Sequence, residues 1–201
     1  MRRLFPADPH TMGAAGQLVV TMLMSFISKR RLAQAFFLLG VLVCLERPVM
    51  AQDMQTEQAV RAAMVFNFLR FTEFPPEIIA NAQRIRLCIA VGEPQQAEAL
   101  AGLAGRKVGG RELIVVRLAG RDDCQVLYVD TRQRWHAAEE QRIFRRTLTI
   151  SAYPGFVRDG GMIEIALQED GARFDINLAE GMRAGFRFSP QLLRLARHIN
   201  E

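Results

Sequence analysis

Between Thr147 and Asn177 the chain reads TLTISAYPGFVRDGGMIEIALQEDGARFDIN. Three runs suited to strands lie in it: residues 148–150, 162–167 and 173–177. A Pro- and Gly-rich loop separates the first two, and Glu169-Asp170-Gly171 separates the second from the third. Asp-Gly between alternating runs is the strongest short-range hairpin signal, because both residues accept the positive φ of a tight turn. This part of the chain is thus committed to a sheet, and no catalytic motif sits within it.

The other end of the chain reads as an export signal. Lys29-Arg30-Arg31 precedes the apolar run LAQAFFLLGVLVCL of residues 32–45, and Val49-Met50-Ala51 supplies small residues at both recognition positions of a signal peptidase. Cleavage is expected after Ala51. Residues 1–51 are then leader and signal peptide, with Met22 or Met24 as the expected true start, and residues 52–201 are the mature periplasmic or secreted domain. An uncleaved anchor is the alternative, but the run is shorter than the roughly 20 residues a spanning helix needs. Cys44 does not make a lipoprotein site, since Val43 and Leu45 are too large for one.

Removing the leader changes the charge argument. The formal +5 includes Arg2, Arg3, Lys29, Arg30, Arg31 and Arg47 against Asp8 and Glu46, so residues 52–201 carry 20 basic and 19 acidic groups. Nucleic-acid binding needs a clustered positive field, which is missing here. Arg142 and Arg145-Arg146 stand beside Glu139-Glu140 at helical spacing and read as a solvated helix face. Two cysteines remain, Cys88 and Cys124. An even pair in an oxidising compartment is expected to be bonded, with two separately buried thiols as the alternative.

In chain order, Thr56 is placed to cap a helix through EQAVRAAMVFNFLRFTEF, with Val60, Met64, Phe68 and Phe71 on one side and Pro75-Pro76 ending it. Residues 87–91 form an apolar strand closed by Gly92, and Glu93-Pro94 opens a helix through Leu100 and Leu103, the first half of a βαβ unit. A single Gly92 is neither a dinucleotide fingerprint nor a P-loop. Residues 102–110 read as loop, 112–118 and 126–129 as strands. A helix with Trp135, Ala138 and Ile143 follows and ends near Arg145-Arg146. Residues 181–185 carry glycines that interrupt a short helix, and Ser189-Pro190 caps a last one, QLLRLARHI. The expected fold class is α/β: a single sandwich domain whose mixed, mostly parallel sheet has a C-terminal antiparallel hairpin and helices on both faces.

No chemistry announces itself. His136 and His198 lie far apart in the sequence without metal-ligand spacing. Ser151 and Ser189 lack the framing of a nucleophile. Asp122-Asp123, Glu139-Glu140 and Glu169-Asp170 are adjacent pairs whose side chains diverge, whereas acid–base carboxylates must converge. The reading is of a non-enzyme with no cofactor and no metal.

The segments AAMVFNFLRFTEFP, RLCIAVGEP, GRKVGGRELIVVRL, DDCQVLYVD, TLTIS, GFVRDGGMIEI, RFDINL and SPQLLRLAR follow one another in an order and spacing that resembles the YfiR-like periplasmic family, from about Gln58 to Ile199. The resemblance implies a non-enzymatic repressor that binds the periplasmic domain of an inner-membrane diguanylate cyclase and so lowers cyclic di-GMP. A sensor kinase is the alternative target. It also implies a homodimer, an outer-membrane peptidoglycan-binding lipoprotein as antagonist, and the Cys88–Cys124 pairing. A second cysteine pair of the founding member has no counterpart here, so redox switching built on that bridge is not expected. Partner contact is expected at an apolar or aromatic patch, with Tyr153, Phe156, Phe186 and Phe188 as candidates and core packing as their competing role. The loop of residues 151–161 is expected to be a variable attachment on the rigid hairpin. The competing function is a small-ligand-binding module feeding a sensor kinase or transporter, with its pocket near Gly92 and Asp130.

Overall fold

Leu87, Cys88 and Ile89 are consecutive and all buried, as are Val126 to Val129. Successive side chains of a strand point to opposite faces, so these two strands need cover on both sides. The structure, a computed structural model, describes residues 49–201 apart from 80–81, 120–122, 141–145 and 169–170, with backbone alone at 49–56 and 140. Its elements are α1 (Val49–Arg70), β1 (Thr72–Glu73), α2 (Pro76–Ile79), β2 (Arg84–Ala90), α3 (Pro94–Ala101), β3 (Lys107–Val108), β4 (Arg111–Arg117) and β5 (Val126–Val129). There follow α4 (Arg132–Glu140), β6 (Leu148–Ser151), β7 (Ile163–Gln168), β8 (Gly171–Asn177), α5 (Leu178–Arg183), β9 (Arg187–Phe188), α6 (Pro190–Leu195) and β10 (His198–Asn200).

Among the described residues, β10-β8-β7-β6-β5-β2-β4-β3 form one eight-stranded sheet, and β1 pairs with β9 in a separate two-stranded ribbon. Pairing in the large sheet is parallel except for β3–β4 and the β7–β8 hairpin. The fold is the expected α/β class. The hairpin closes with Gln168 opposite Gly171, whose φ of +124° suits only glycine.

Each face has its own core. Ile85, Leu87, Ile89, Val126, Tyr128, Leu148 and Ile150 pack toward the apolar sides of α1 and α3, represented by Val65, Phe68, Leu69, Ala97 and Leu100. Cys88, Leu127 and Val129 pack toward Trp135 and Ala138 of α4 and toward Tyr153 and Phe156 of the following loop. On this second face β6 presents Thr149 and Ser151, buried but bonded: Ser151 Oγ donates to the Val129 carbonyl at 2.7 Å, and Thr149 Oγ1 accepts from Met162 N at 3.0 Å.

Three local expectations are corrected. The first described helix covers Val49–Arg70, so Thr56 lies inside it, and it ends at Arg70; Thr72 Oγ1 donates back to the Phe68 carbonyl at 2.7 Å. The loop of residues 102–110 contains the short strand β3. The last helix stops at Leu195, and the chain then pairs with the outer edge of β8 instead of continuing to Ile199. The cause is at Arg197, whose N–H donates to the Phe174 carbonyl at 2.8 Å and whose guanidinium grips Asp175 twice, at 2.9 and 2.6 Å. A bidentate arginine–carboxylate pair together with main-chain bonds outweighs weak propensity in a short terminal helix. Ile143 lies outside the described residues.

Gly161 is buried, and a Cβ placed there would overlap the ring of fully buried Phe156. Overpacking a closed site costs about 1–3 kcal/mol. Gly161→Ala is expected to lower stability by about 2 kcal/mol in urea unfolding, and an unchanged midpoint would show that the Phe156 ring has room to retreat.

Candidate functional site

Cys88 in mid-β2 and Cys124 just before β5 are joined by a disulfide, their Cα atoms 5.8 Å apart and 36 residues apart in sequence. Both are buried beside Leu127 and Trp135. The bond ties the centre of the sheet to the segment that leads into its neighbouring strand.

The four candidate contact aromatics are all inside: Tyr153 is 8 % exposed, Phe156 0 %, Phe186 0 % and Phe188 6 %. None displays its ring to solvent. Phe156 stands edge-on to Trp135 and Tyr153, with centroids 5.0 and 5.2 Å apart. The loop of residues 151–161 is accordingly a fixed cover for the second core. The buried carboxylate of Glu164 accepts from Gly155 N at 3.0 Å and Val157 N at 3.1 Å. Trp135 Nε1 donates to the Asp159 carbonyl at 2.9 Å, while Asp159 Oδ2 accepts from Tyr153 OH at 3.1 Å and Arg132 Nε at 2.7 Å. The sequence reading took Tyr-Pro-Gly-Phe as a loop and missed that Glu164, two positions into β7, holds it closed.

Phe186 and Phe188 have a second role. With Leu178, Met182, Gly185 and Arg187 they line an apolar groove of about 500 Å³. Phe186 stands edge-on to Phe74 at 5.6 Å, and the bare Cα of Gly181 lets Phe188 pack where a Cβ would collide. Met182, 64 % exposed, rims the groove. The sequence reading passed over it, although Leu178 and Met182 share one side of a helix by their spacing.

The carboxyl ends of β2 and β5 meet where the strand order turns back, since β4 lies on one side of β2 and β5 on the other. Gly92 N–H donates to Asp130 Oδ2 at 2.7 Å, and Arg134 Nη1 donates to Asp130 Oδ1 at 2.8 Å. The Arg134 guanidinium lies over Gly92, its Nη2 2.6 Å from where a Cβ would stand. Here the structure brings Gly92 and Asp130 together, with Asp130 bonded to the chain's own Arg134. On the α1 side, Gln58 Nε2 donates to Glu93. Gln58 Oε1, Arg61 Nε and both amide atoms of Gln96 are buried without a hydrogen-bond partner among the described residues. Burial pushes the Tyr128 phenol up, with Arg61 opposing and Asp130 and Glu93 adding. Among the described residues no group of three His, Cys, Asp or Glu is placed to hold a metal ion.

The sequence profile of a family described as YfiR/HmsC-like matches residues 58–197, from α1 to the β8-bound arginine. The chain belongs to this YfiR/HmsC-like family. Membership supports, at the level of the family, a regulatory role in cyclic di-GMP signalling, in a family that is periplasmic and non-catalytic. No curated protein matches the chain detectably. A solved structure from Vibrio cholerae O1 biovar El Tor, described as a conserved domain protein, is similar at 15 % identity and a TM-score of 0.40, over 62 % of this chain and 57 % of that one. The chain thus spans little more than half of that structure's length. Among the described residues of this YfiR/HmsC-like chain, no helix is long and apolar enough to cross a membrane.

Two measurements check this description. Replacing both Cys88 and Cys124 by Ser is expected to cost about 3–4 kcal/mol of stability on the chain-entropy model for a loop of this length; equal stability of the oxidised protein and the double variant would contradict that. The chain has two tyrosines, and both phenols are pushed up, Tyr128 by burial first and Tyr153 by burial and then by Asp159. A raised phenol keeps its proton in the folded state while the unfolded chain releases it, so stability is full below about pH 10 and declines above it. Phenolate absorbance is expected to rise with unfolding, and a native-state phenolate signal near pH 10 would overturn the assignment.

Proposed function

We propose that this chain is an exported regulator, released by cleavage after Ala51, that binds the periplasmic domain of an inner-membrane diguanylate cyclase and lowers cyclic di-GMP. The observation that carries the reading is the family match over residues 58–197. The protein acts by contact and not by catalysis, as a homodimer, and an outer-membrane peptidoglycan-binding lipoprotein withdraws it from its target. A sensor kinase takes the place of the cyclase in the variant form of this reading. To repress, the domain must bind the inactive conformation of its target better than the active one. Driving a two-state sensor from 1:99 to 99:1 takes roughly a 10⁴-fold preference.

The surface that suits this contact is the α5–β9 groove. It is apolar, and it is rimmed by a methionine whose unbranched thioether adapts to a partner's shape. Deleting the gene is expected to raise cyclic di-GMP in cells expressing the cyclase. Met182→Asp is expected to reproduce the deletion while leaving the fold intact, because the residue is exposed. An unchanged cyclic di-GMP level after deletion would sink the cyclase reading; a silent Met182→Asp would move the contact elsewhere.

One observation favours a second reading, a small-ligand module: the unpartnered polar atoms of Gln58, Arg61 and Gln96 gather near the turn between β2 and α3. Buried polar groups are normally satisfied, so a small polar molecule with both donors and acceptors suits them. Native mass spectrometry against a mixture of free amino acids tests this. A retained adduct that Gln96→Leu abolishes would support it, and none would leave contact regulation alone.

A further inference from the structure

The outer edge of β4 is covered along only half its length. β3 pairs with Arg111 and Glu112, and the adjoining turn reaches Leu113, whose N–H donates to the Arg106 carbonyl at 2.8 Å and whose carbonyl accepts from Gly105 N at 2.9 Å. Beyond Leu113, the parity of a parallel ladder decides which groups face outward. Glu112 N–H donates to the Gln83 carbonyl and Leu118 N–H to the Ile89 carbonyl, both on the β2 side. Even-numbered residues of β4 therefore bond to β2, while Val115 and Arg117 direct their N–H and C=O away from the sheet. No described residue meets them.

Grooves flank this bare edge on both faces. On the α3 side, Pro94, Ala97, Ala101 and Val115 line a groove of about 230 Å³, with Glu98 as its acid. On the α4 side, Leu118, Ala137 and Ala138 line one of about 300 Å³, together with Arg117 and Arg134. Arg117 borders both, and it makes no ion pair among the described residues; Lys107, on the covering strand, makes none either. By alternation Arg117 shares the α3 face of β4 with Val115, while Val116 and Leu118 face α4, where Arg134 is paired with Asp130.

We propose that the edge of β4 at residues 115–117 is a strand-addition site for an extended segment of a partner protein that alternates apolar and acidic side chains. The segment's main chain completes the hydrogen bonds of Val115 and Arg117. Its alternate side chains fall to opposite faces. The apolar set packs on Leu118, Ala137 and Ala138 of the α4 side, and the acidic set meets Arg117 on the α3 side. This site does not rest on the α5–β9 groove or on the cyclase reading, because it follows from the sheet's register and charge alone.

The test uses the purified mature domain and a labelled peptide of about eight residues alternating valine and glutamate, long enough to span the open edge. Expected are saturable binding and new hydrogen-exchange protection of the Val115 and Arg117 amides. Methylating the peptide nitrogens of one alternating set should abolish binding, and methylating the other set should not, since only one edge of the peptide can face β4. Arg117→Glu should weaken binding about tenfold by reversing a charge at the rim, with the thermal midpoint unchanged. Binding that ignores which set is methylated, or that leaves both amides unprotected, would overturn the proposal. So would protection of the same amides that grows with protein concentration in the absence of peptide, which would assign the edge to a second copy of the chain.

Discussion

The structure depends on two strands that are apolar toward both faces. β2 and β5 each place buried side chains above and below the sheet, and a strand of that kind is stable only when both sides are dry. The helices answer this requirement from the α1–α3 side with long apolar residues. From the other side, the described part of α4 supplies Trp135 and Ala138. The remaining cover comes from an irregular loop, and irregular backbone can be buried only if its polar groups find partners. Glu164, Trp135 and Ser151 supply them. The disulfide belongs to the same face.

This explains which features were legible in the sequence. Runs with clear periodicity, such as those of β2, β5 and the β7–β8 hairpin, declared both their element and their place in a mixed sheet. The segments that failed are those where a distant partner outvotes local preference. QLLRLARHI has a helical pattern throughout, yet Arg197 leaves it because Asp175 and the Phe174 carbonyl lie across on β8. Tyr153 and Phe156 sit among turn residues that normally mark exposed loops. Their burial depends on Glu164 and on the absence of a side chain at Gly161, and neither signal is periodic. Site legibility was divided in the same way. The proximity of Gly92 to Asp130 followed from strand order, whereas Met182 stood out only once the groove around it was formed.

A domain held this firmly from both faces is suited to act by presenting surfaces. Regulation by contact requires that the regulator bind one state of its target preferentially. The fold keeps its large rings inside and leaves two kinds of surface outside. One is an adaptable apolar rim at Met182; the other is a stretch of unpaired main chain at the opposite end of the strand order, far from β8 in the sheet.

The two ends of the sheet are not treated alike. At the β8 end, the chain's own C-terminal residues close the edge: β10 pairs residue for residue with Asp175, Ile176 and Asn177, and its side chains are exposed and mostly polar. That is the usual protection of an edge, short and polar. At the β4 end the covering strand β3 is two residues long and stops before Val115, where the exposed backbone is flanked by half-buried valines. A bare edge of branched apolar residues is an aggregation hazard that folds ordinarily blunt. Among the described residues the charge of Arg117 restrains unwanted pairing here, and that charge also favours an acidic strand over a second copy of a strand that carries two arginines. The asymmetry between the two edges is therefore a difference in specificity: one edge is closed by the chain itself, and the other selects what may pair with it.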